Sequence, residues 1–102
     1  MNTLSLNTKQ LISTLYEPRK VSKVSKVLEL KCNAESLGCV GWSPSQVERI
    51  MFAVLKLATE GDTGLDTAIE LAKTDWRDLL MSAGFGEDIN AHEKWHKAVT
   101  KQ

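Results

Sequence analysis

The sequence of 102 residues has few of the features that mark specialised classes of protein. It contains two cysteines and two prolines, too few cysteines for the disulfide framework of small secreted domains. No apolar run approaches the roughly 20 residues that a membrane-spanning helix needs. The first residues, MNTLSLNTKQ, have no basic flank before an apolar stretch, so no signal peptide is predicted. We therefore expect a cytoplasmic protein with reduced thiols and no membrane contact.

The chain also has no excess of charge of either sign. Thirteen lysines and arginines balance 13 aspartates and glutamates, whereas a dedicated binder of nucleic acid or anionic membranes has a clear basic excess. The balance hides an asymmetry. Residues 1–40 carry six basic and three acidic side chains, a net of +3, while residues 41–102 carry seven and ten, a net of −3. Such an asymmetry is compatible with head-to-tail self-association.

The features that are present are those of an ordinary helical protein. Hydrophobic residues make up 42% and charged residues 25% of the chain, both usual for a globular protein. Apolar residues recur at helical spacing in six segments, which short proline- or glycine-marked breaks separate. The length is typical of one domain. We predict an all-α fold, a single helical domain over residues 1–102, built as a compact irregular bundle of about five to six short helices.

The first predicted helix covers residues 8–16. Asn7 is expected as its N-cap, because an asparagine side chain can accept a hydrogen bond from a free first-turn amide. Gln10 follows at the spacing of a capping box, and Leu6 and Leu11 stand at the positions of a hydrophobic staple.

The second predicted helix covers residues 18–31 and contains the repeat VSKVSKV. A step of three residues turns a helix by about 300°, so Val21, Val24 and Leu28 share one face. Four cations lie beside that face: Arg19, Lys20, Lys23 and Lys26. Cations without interleaved aromatic residues are usually a solvated face. They nevertheless support the alternative function, a small nucleic-acid-associated regulator that uses the basic helix.

The third predicted helix, at about residues 44–59, is expected at the centre of the bundle. Ser43 is placed as N-cap, Pro44 as the first helical residue, and Gln46 at the capping-box position. Six apolar residues then follow the i, i+3, i+4, i+7 pattern: Val47, Ile50, Met51, Val54, Leu55 and Ala58. Because Phe52, Ala53 and Leu57 widen this stripe, the helix is predicted to be buried on most sides.

Three further helices are predicted after residue 60. One begins near Asp62 or Thr63, the next is capped by Thr74, and the last covers residues 88–99. Gly84 followed by Phe85 predicts a Schellman-type helix end. Four residues are expected on one face of the last helix: Ile89, His92, His96 and Val99.

The tight connection at residues 73–75 is also typical of a helix-turn-helix. The outward residues of its second helix are Asp75, Arg77, Asp78 and Ser82. Their net negative charge would repel phosphates, so binding of nucleic acid by this segment is not favoured.

The segment His92-Glu93-Lys94-Trp95-His96 matches H-E-x-x-H and resembles the motif of zinc metalloproteases. Histidines at i and i+4 on a helix can share a zinc ion, while the glutamate activates a bound water. The six residues that follow contain no histidine or carboxylate side chain to act as the third ligand. We therefore predict two partly exposed histidines, no metal and no cofactor, and place a metal-dependent hydrolase third among the functions.

The two cysteines give no stronger metal signal. Cys32 and Cys39 are separated by six residues, whereas structural zinc knuckles have two to four. Cys32 is predicted to be a small apolar residue of the core, and Cys39 a loop residue.

No residue is predicted to be catalytic, to bind a cofactor or to ligate a metal.

Four large rings are conspicuous in so short a chain: Trp42, Trp76, Phe85 and Trp95. A domain of this size cannot easily bury all four, so one or two are expected at a partner surface. We predict a non-catalytic small helical module for protein–protein interaction, whose partner is another protein or a second copy.

Overall fold

The computed structural model describes residues 4–33, 35–38, 41–61 and 63–100. It confirms the all-α bundle, because 74% of the described residues are helical and none lies in a strand. The described residues form five helices: α1 (Leu6–Leu15), α2 (Pro18–Lys31), α3 (Pro44–Glu60), α4 (Leu65–Ser82) and α5 (Ala91–Thr100). None of these helices is both long and apolar enough to cross a membrane.

Helix α3 forms the centre of the bundle, as predicted. Its residues 50–55 are all buried, and α4, α1 and α5 pack around it. The predicted cap is also confirmed, since the Ser43 hydroxyl accepts a hydrogen bond from the Gln46 amide at 3.2 Å and Pro44 is the first helical residue.

Helix α1 begins two residues earlier than predicted. Its N-cap is Ser5, whose hydroxyl accepts from the Thr8 amide at 3.1 Å. The predicted cap at Asn7 and the Leu6 staple are therefore wrong, and Leu6 is 82% exposed. Serine and asparagine are comparable caps, but the earlier start buries Leu4 and brings the Ser5 hydroxyl to the Glu48 carboxylate at 2.6 Å.

Helix α2 agrees with the prediction over its whole length. Val24 and Leu28 are buried, and Val21 is half-buried on the same face. At its end Cys32 is buried, as predicted, and burial raises the pKa of its thiol to about 12 although Lys73 acts in the opposite direction. A thiol of this kind is unreactive. The prediction for Cys39 lies outside the described residues.

Helix α4 contains both the fourth and the fifth predicted segments. A kink at Asp75, with φ −155° and ψ 82°, separates them. The cap of the second part is Asp75, whose carboxylate accepts from the Asp78 amide at 3.1 Å, and not Thr74. The Thr74 hydroxyl instead donates to the Glu70 carbonyl at 2.8 Å. The helix starts at Leu65, later than predicted.

The predicted Schellman motif ends α4. The Phe85 amide donates to the Leu80 carbonyl at 2.8 Å, and the Gly84 amide to the Met81 carbonyl at 3.1 Å. Gly84 has a φ of +82°, which glycine adopts without steric cost. Phe85 is 2% exposed, so the motif anchors the loop that follows.

Helix α5 begins at Ala91, three residues later than predicted. The Asp88 carboxylate accepts from the Asn90 amide at 2.8 Å, which forms a turn before the helix. Ile89 therefore lies outside α5 and is 68% exposed, so its predicted place on the face of His92 is wrong.

Candidate functional site

The two histidines of the HEKWH segment lie between α5 and the core. The His92 ring is 2% exposed and meets the rings of Phe52 and Phe85 edge-on, at centroid distances of 5.6 and 6.3 Å. The His96 ring is half-buried and stacks on Phe52 at 5.3 Å. The prediction that both histidines are partly exposed is therefore wrong for His92, because α5 turns this face toward α3.

His92 is surrounded mainly by apolar groups. Neither of its ring nitrogens has a hydrogen-bond partner in the described part of the chain. Burial lowers the pKa of His92, and the Arg49 guanidinium acts in the same direction. The carboxylates of Glu93 and Glu48 raise the pKa of His92, more weakly than burial lowers it but more strongly than Arg49 does. The lowered pKa favours the neutral form of the His92 ring.

The described residues bring no three histidine, cysteine or carboxylate side chains together as a metal site requires. The remaining aromatic residue of the segment, Trp95, donates from its indole Nε1 to Glu60 at 2.7 Å. The segment therefore packs α5 against α3 through rings and one hydrogen bond.

The other aromatic residues divide between core and surface. Phe85 is buried, whereas Trp42 and Trp76 are each half-buried. These two rings meet edge-on at 4.9 Å, and the Arg77 guanidinium lies 5.2 Å from the centre of the Trp76 ring. Both rings thus pack against other side chains of the protein, and we assign the pair no ligand.

A groove of about 500 Å³ lies between α2 and the start of α4. Its apolar part is formed by Val24, which is buried, and by Val27 and Leu65, which are half-buried. Lys20 and Lys23 line it from α2, and both are exposed. The groove thus combines an apolar surface with two cations, which is the composition of a surface that takes an apolar segment carrying acidic side chains.

The charges around the groove favour an acidic ligand. No carboxylate among the described residues forms an ion pair with Lys20 or Lys23, whereas Arg19 is paired with Glu17 at 2.8 Å. The N-cap of α4 is Gly64, and no described side chain caps this helix end, so its first amides add a partial positive charge. Asp66 is the one described carboxylate that lines the groove, and it offsets part of this charge.

Sequence reasoning placed the four cations on α2 but did not find the groove. The groove needs residues 20–27 and 64–67 side by side, and no spacing in the sequence connects them. In the sequence, the lysines of α2 are the feature that points to this surface.

The chain matches no known protein family, no curated protein and no solved structure.

Proposed function

We propose that the chain is a non-catalytic helical module that binds a protein, and that the groove between α2 and α4 is its binding surface. The observation that carries the proposal is one groove in which the apolar residues Val24, Val27 and Leu65 lie beside two lysines that form no ion pair with any described residue. The ligand is a segment that places an apolar side chain beside carboxylates.

The apolar side chains and the lysines of the groove contribute to binding in different ways. Burial of an apolar residue contributes about 25 cal/mol per Å² of surface removed from water. The lysines steer acidic ligands to the groove and disfavour basic ones. Neither Lys20 nor Lys23 forms an ion pair with another described residue. A ligand carboxylate can therefore bind these lysines without breaking an ion pair between described residues.

A titration followed by amide chemical shifts tests this proposal. The probe is a short synthetic peptide that carries leucine beside glutamate, and the control peptide has glutamine in place of each glutamate. We expect shifts confined to α2 and the start of α4, weaker with the glutamine peptide and weaker in the variant Lys20→Glu/Lys23→Glu. Absence of shifts in the groove, or equal binding of both peptides, contradicts the proposal.

The same variant distinguishes the nucleic-acid alternative. A basic patch alone gives weak association with DNA that falls steeply with salt. Low-micromolar binding of mixed-sequence duplex DNA near physiological salt, lost on Lys20→Glu/Lys23→Glu, would favour a nucleic-acid regulator over a protein-binding module.

A further inference from the structure

We propose that the groove between α2 and α4 binds the loop of residues 85–90 of a second copy of this chain, so that copies associate head to tail. The inference rests on the proposed function and narrows the protein partner to the chain itself. Its basis is the match between the groove and an exposed segment of suitable chemistry.

Ile89 is the apolar residue that fits the groove. Among the described residues, four large hydrophobic side chains are exposed: Leu6, Leu30, Met81 and Ile89. Ile89 follows two acidic residues, Glu87 and Asp88. The sequence neighbours of Leu6 and Met81 are uncharged, and Leu30 stands between a glutamate and a lysine whose charges cancel. Ile89 is therefore the exposed apolar side chain of the described residues that is flanked by net negative charge.

The loop is held in place before it meets a partner. Phe85 is buried, and its carbonyl accepts from the Arg49 guanidinium. The Asp88 carboxylate accepts from the Asn90 amide at 2.8 Å and pairs with Lys94 at 2.9 Å. A segment that is already ordered loses less conformational entropy on binding, so the exposed Ile89 is presented at low entropic cost.

The charges of the two surfaces are complementary. The groove carries Lys20 and Lys23 against Asp66, a net positive charge. The loop carries Glu87 and Asp88, and Lys94 neutralises part of the Asp88 charge. Glu87 is exposed and has no ion pair in the described residues, so it is the carboxylate available to the lysines of a second copy.

The loop and the groove of one chain lie apart. The groove includes residues at the start of α4, Gly64 to Thr67, whereas the loop follows the end of the same helix at Ser82. Residues 65–74, the part of α4 before the kink at Asp75, alone span about 15 Å of helix axis. We therefore infer that the contact joins two chains, and such a head-to-tail contact extends into longer assemblies unless it closes into a ring.

Two variants, each defective in one surface, test this geometry by light scattering coupled to size-exclusion chromatography. The groove variant is Lys20→Glu/Lys23→Glu, and the loop variant is Glu87→Gln/Ile89→Ser. All four side chains are exposed, so both variants should retain the helical circular dichroism of the parent. Leu6→Ser, which alters an exposed apolar residue elsewhere, is the matched control.

We expect the parent chain and the Leu6→Ser control to exceed the mass of one chain as concentration rises. Each surface variant alone should remain at one chain. An equimolar mixture of the two should stop at two chains, because only one intact groove and one intact loop can meet.

Two results would overturn the inference. One is a parent chain that stays monomeric up to millimolar concentration, and the other is association of the parent without pairing of the mixed variants. If the leucine–glutamate peptide still shifts the groove amides, the groove binds a different protein and the proposed function stands. If the peptide also fails, the proposed function fails as well.

Discussion

Helices α3 and α2 differ in how much of their surface the bundle covers. In α3 six consecutive residues, 50–55, are buried, and α1, α4 and α5 all pack against it. In α2 the buried residues are Val24 and Leu28. Among the described helices, α2 packs mainly against α1. The difference indicates that α3 holds the fold together, while α2 leaves most of its surface in solvent.

The largest effect on stability should come from α3. Leu55 is fully buried, so Leu55→Ala is expected to lower the free energy of unfolding by about 2–5 kcal/mol through lost burial and a cavity. The matched control is Leu30→Ala on α2, where the side chain is 73% exposed and the expected change is within about 0.5 kcal/mol. Urea denaturation measures both, and a neutral Leu55→Ala would mean that α3 is not the core.

The pH dependence of stability should come next, through His92. Its pKa is lowered in the folded state, mainly by burial, so the unfolded chain binds a proton more readily. The neutral His92 ring therefore contributes fully to the free energy of unfolding above the unfolded-state pKa of about 6.5. This contribution decreases as the pH falls below that value. Urea midpoints at pH 7.5 and pH 5 should show the fall, and His92→Phe should reduce it. An imidazole resonance of His92 that titrates above pH 7 would contradict this account.

The helix caps should have smaller effects. Ser43→Ala removes the cap of α3, and Asp75→Ala removes the cap at the kink of α4. Each is expected to cost about 1 kcal/mol in urea denaturation. Thr74→Ala serves as the control for the kink, since the Thr74 hydroxyl bonds back to a carbonyl in its own helix. If Thr74→Ala lowered the free energy of unfolding more than Asp75→Ala, the cap would be Thr74, as the sequence predicted.

The features predicted correctly are those that neighbouring residues determine. The start of α3 follows from Ser43 and Pro44, and the end of α4 follows from Gly84 and Phe85. The caps at Ser5 and Asp75 were missed because each has a second good capping residue within two positions, Asn7 and Thr74. Tertiary contacts decide between such neighbours, as the Ser5–Glu48 hydrogen bond does for α1.

The candidate site was less predictable because distant residues form it. The sequence indicated a basic face on α2 but could not place Leu65 and Gly64 beside it. The spacing from His92 predicts that Ile89 lies on the same face of the last helix, yet the turn at Asp88 and Asn90 places Ile89 before the helix and in solvent. The burial of His92 depends in the same way on contacts with Phe52, forty residues earlier.

The lysine substitutions should change stability least. Lys20→Glu/Lys23→Glu alters two exposed side chains without ion pairs among the described residues, so the free energy of unfolding is expected to change by less than about 0.5 kcal/mol. Binding should nevertheless be lost. If the variant unfolded, these side chains of α2 would belong to the core, and the difference in burial between α2 and α3 would not hold.

A chelator should have no effect on stability. The described residues hold no group of three metal-ligating side chains, so EDTA is expected to leave the urea midpoint unchanged. The control is elemental analysis of the purified protein. About one zinc per chain, lost on His92→Ala or His96→Ala, would move the HEKWH segment into the class of metal sites.

A dilution series of the parent chain, followed by amide chemical shifts at low salt, tests the central claim most directly. We predict concentration-dependent shifts in α2, the start of α4 and residues 85–90, with α3 unchanged, and a reduction of these shifts when added salt screens the charges. Spectra that do not change with concentration, or shifts confined to other surfaces, would contradict the account.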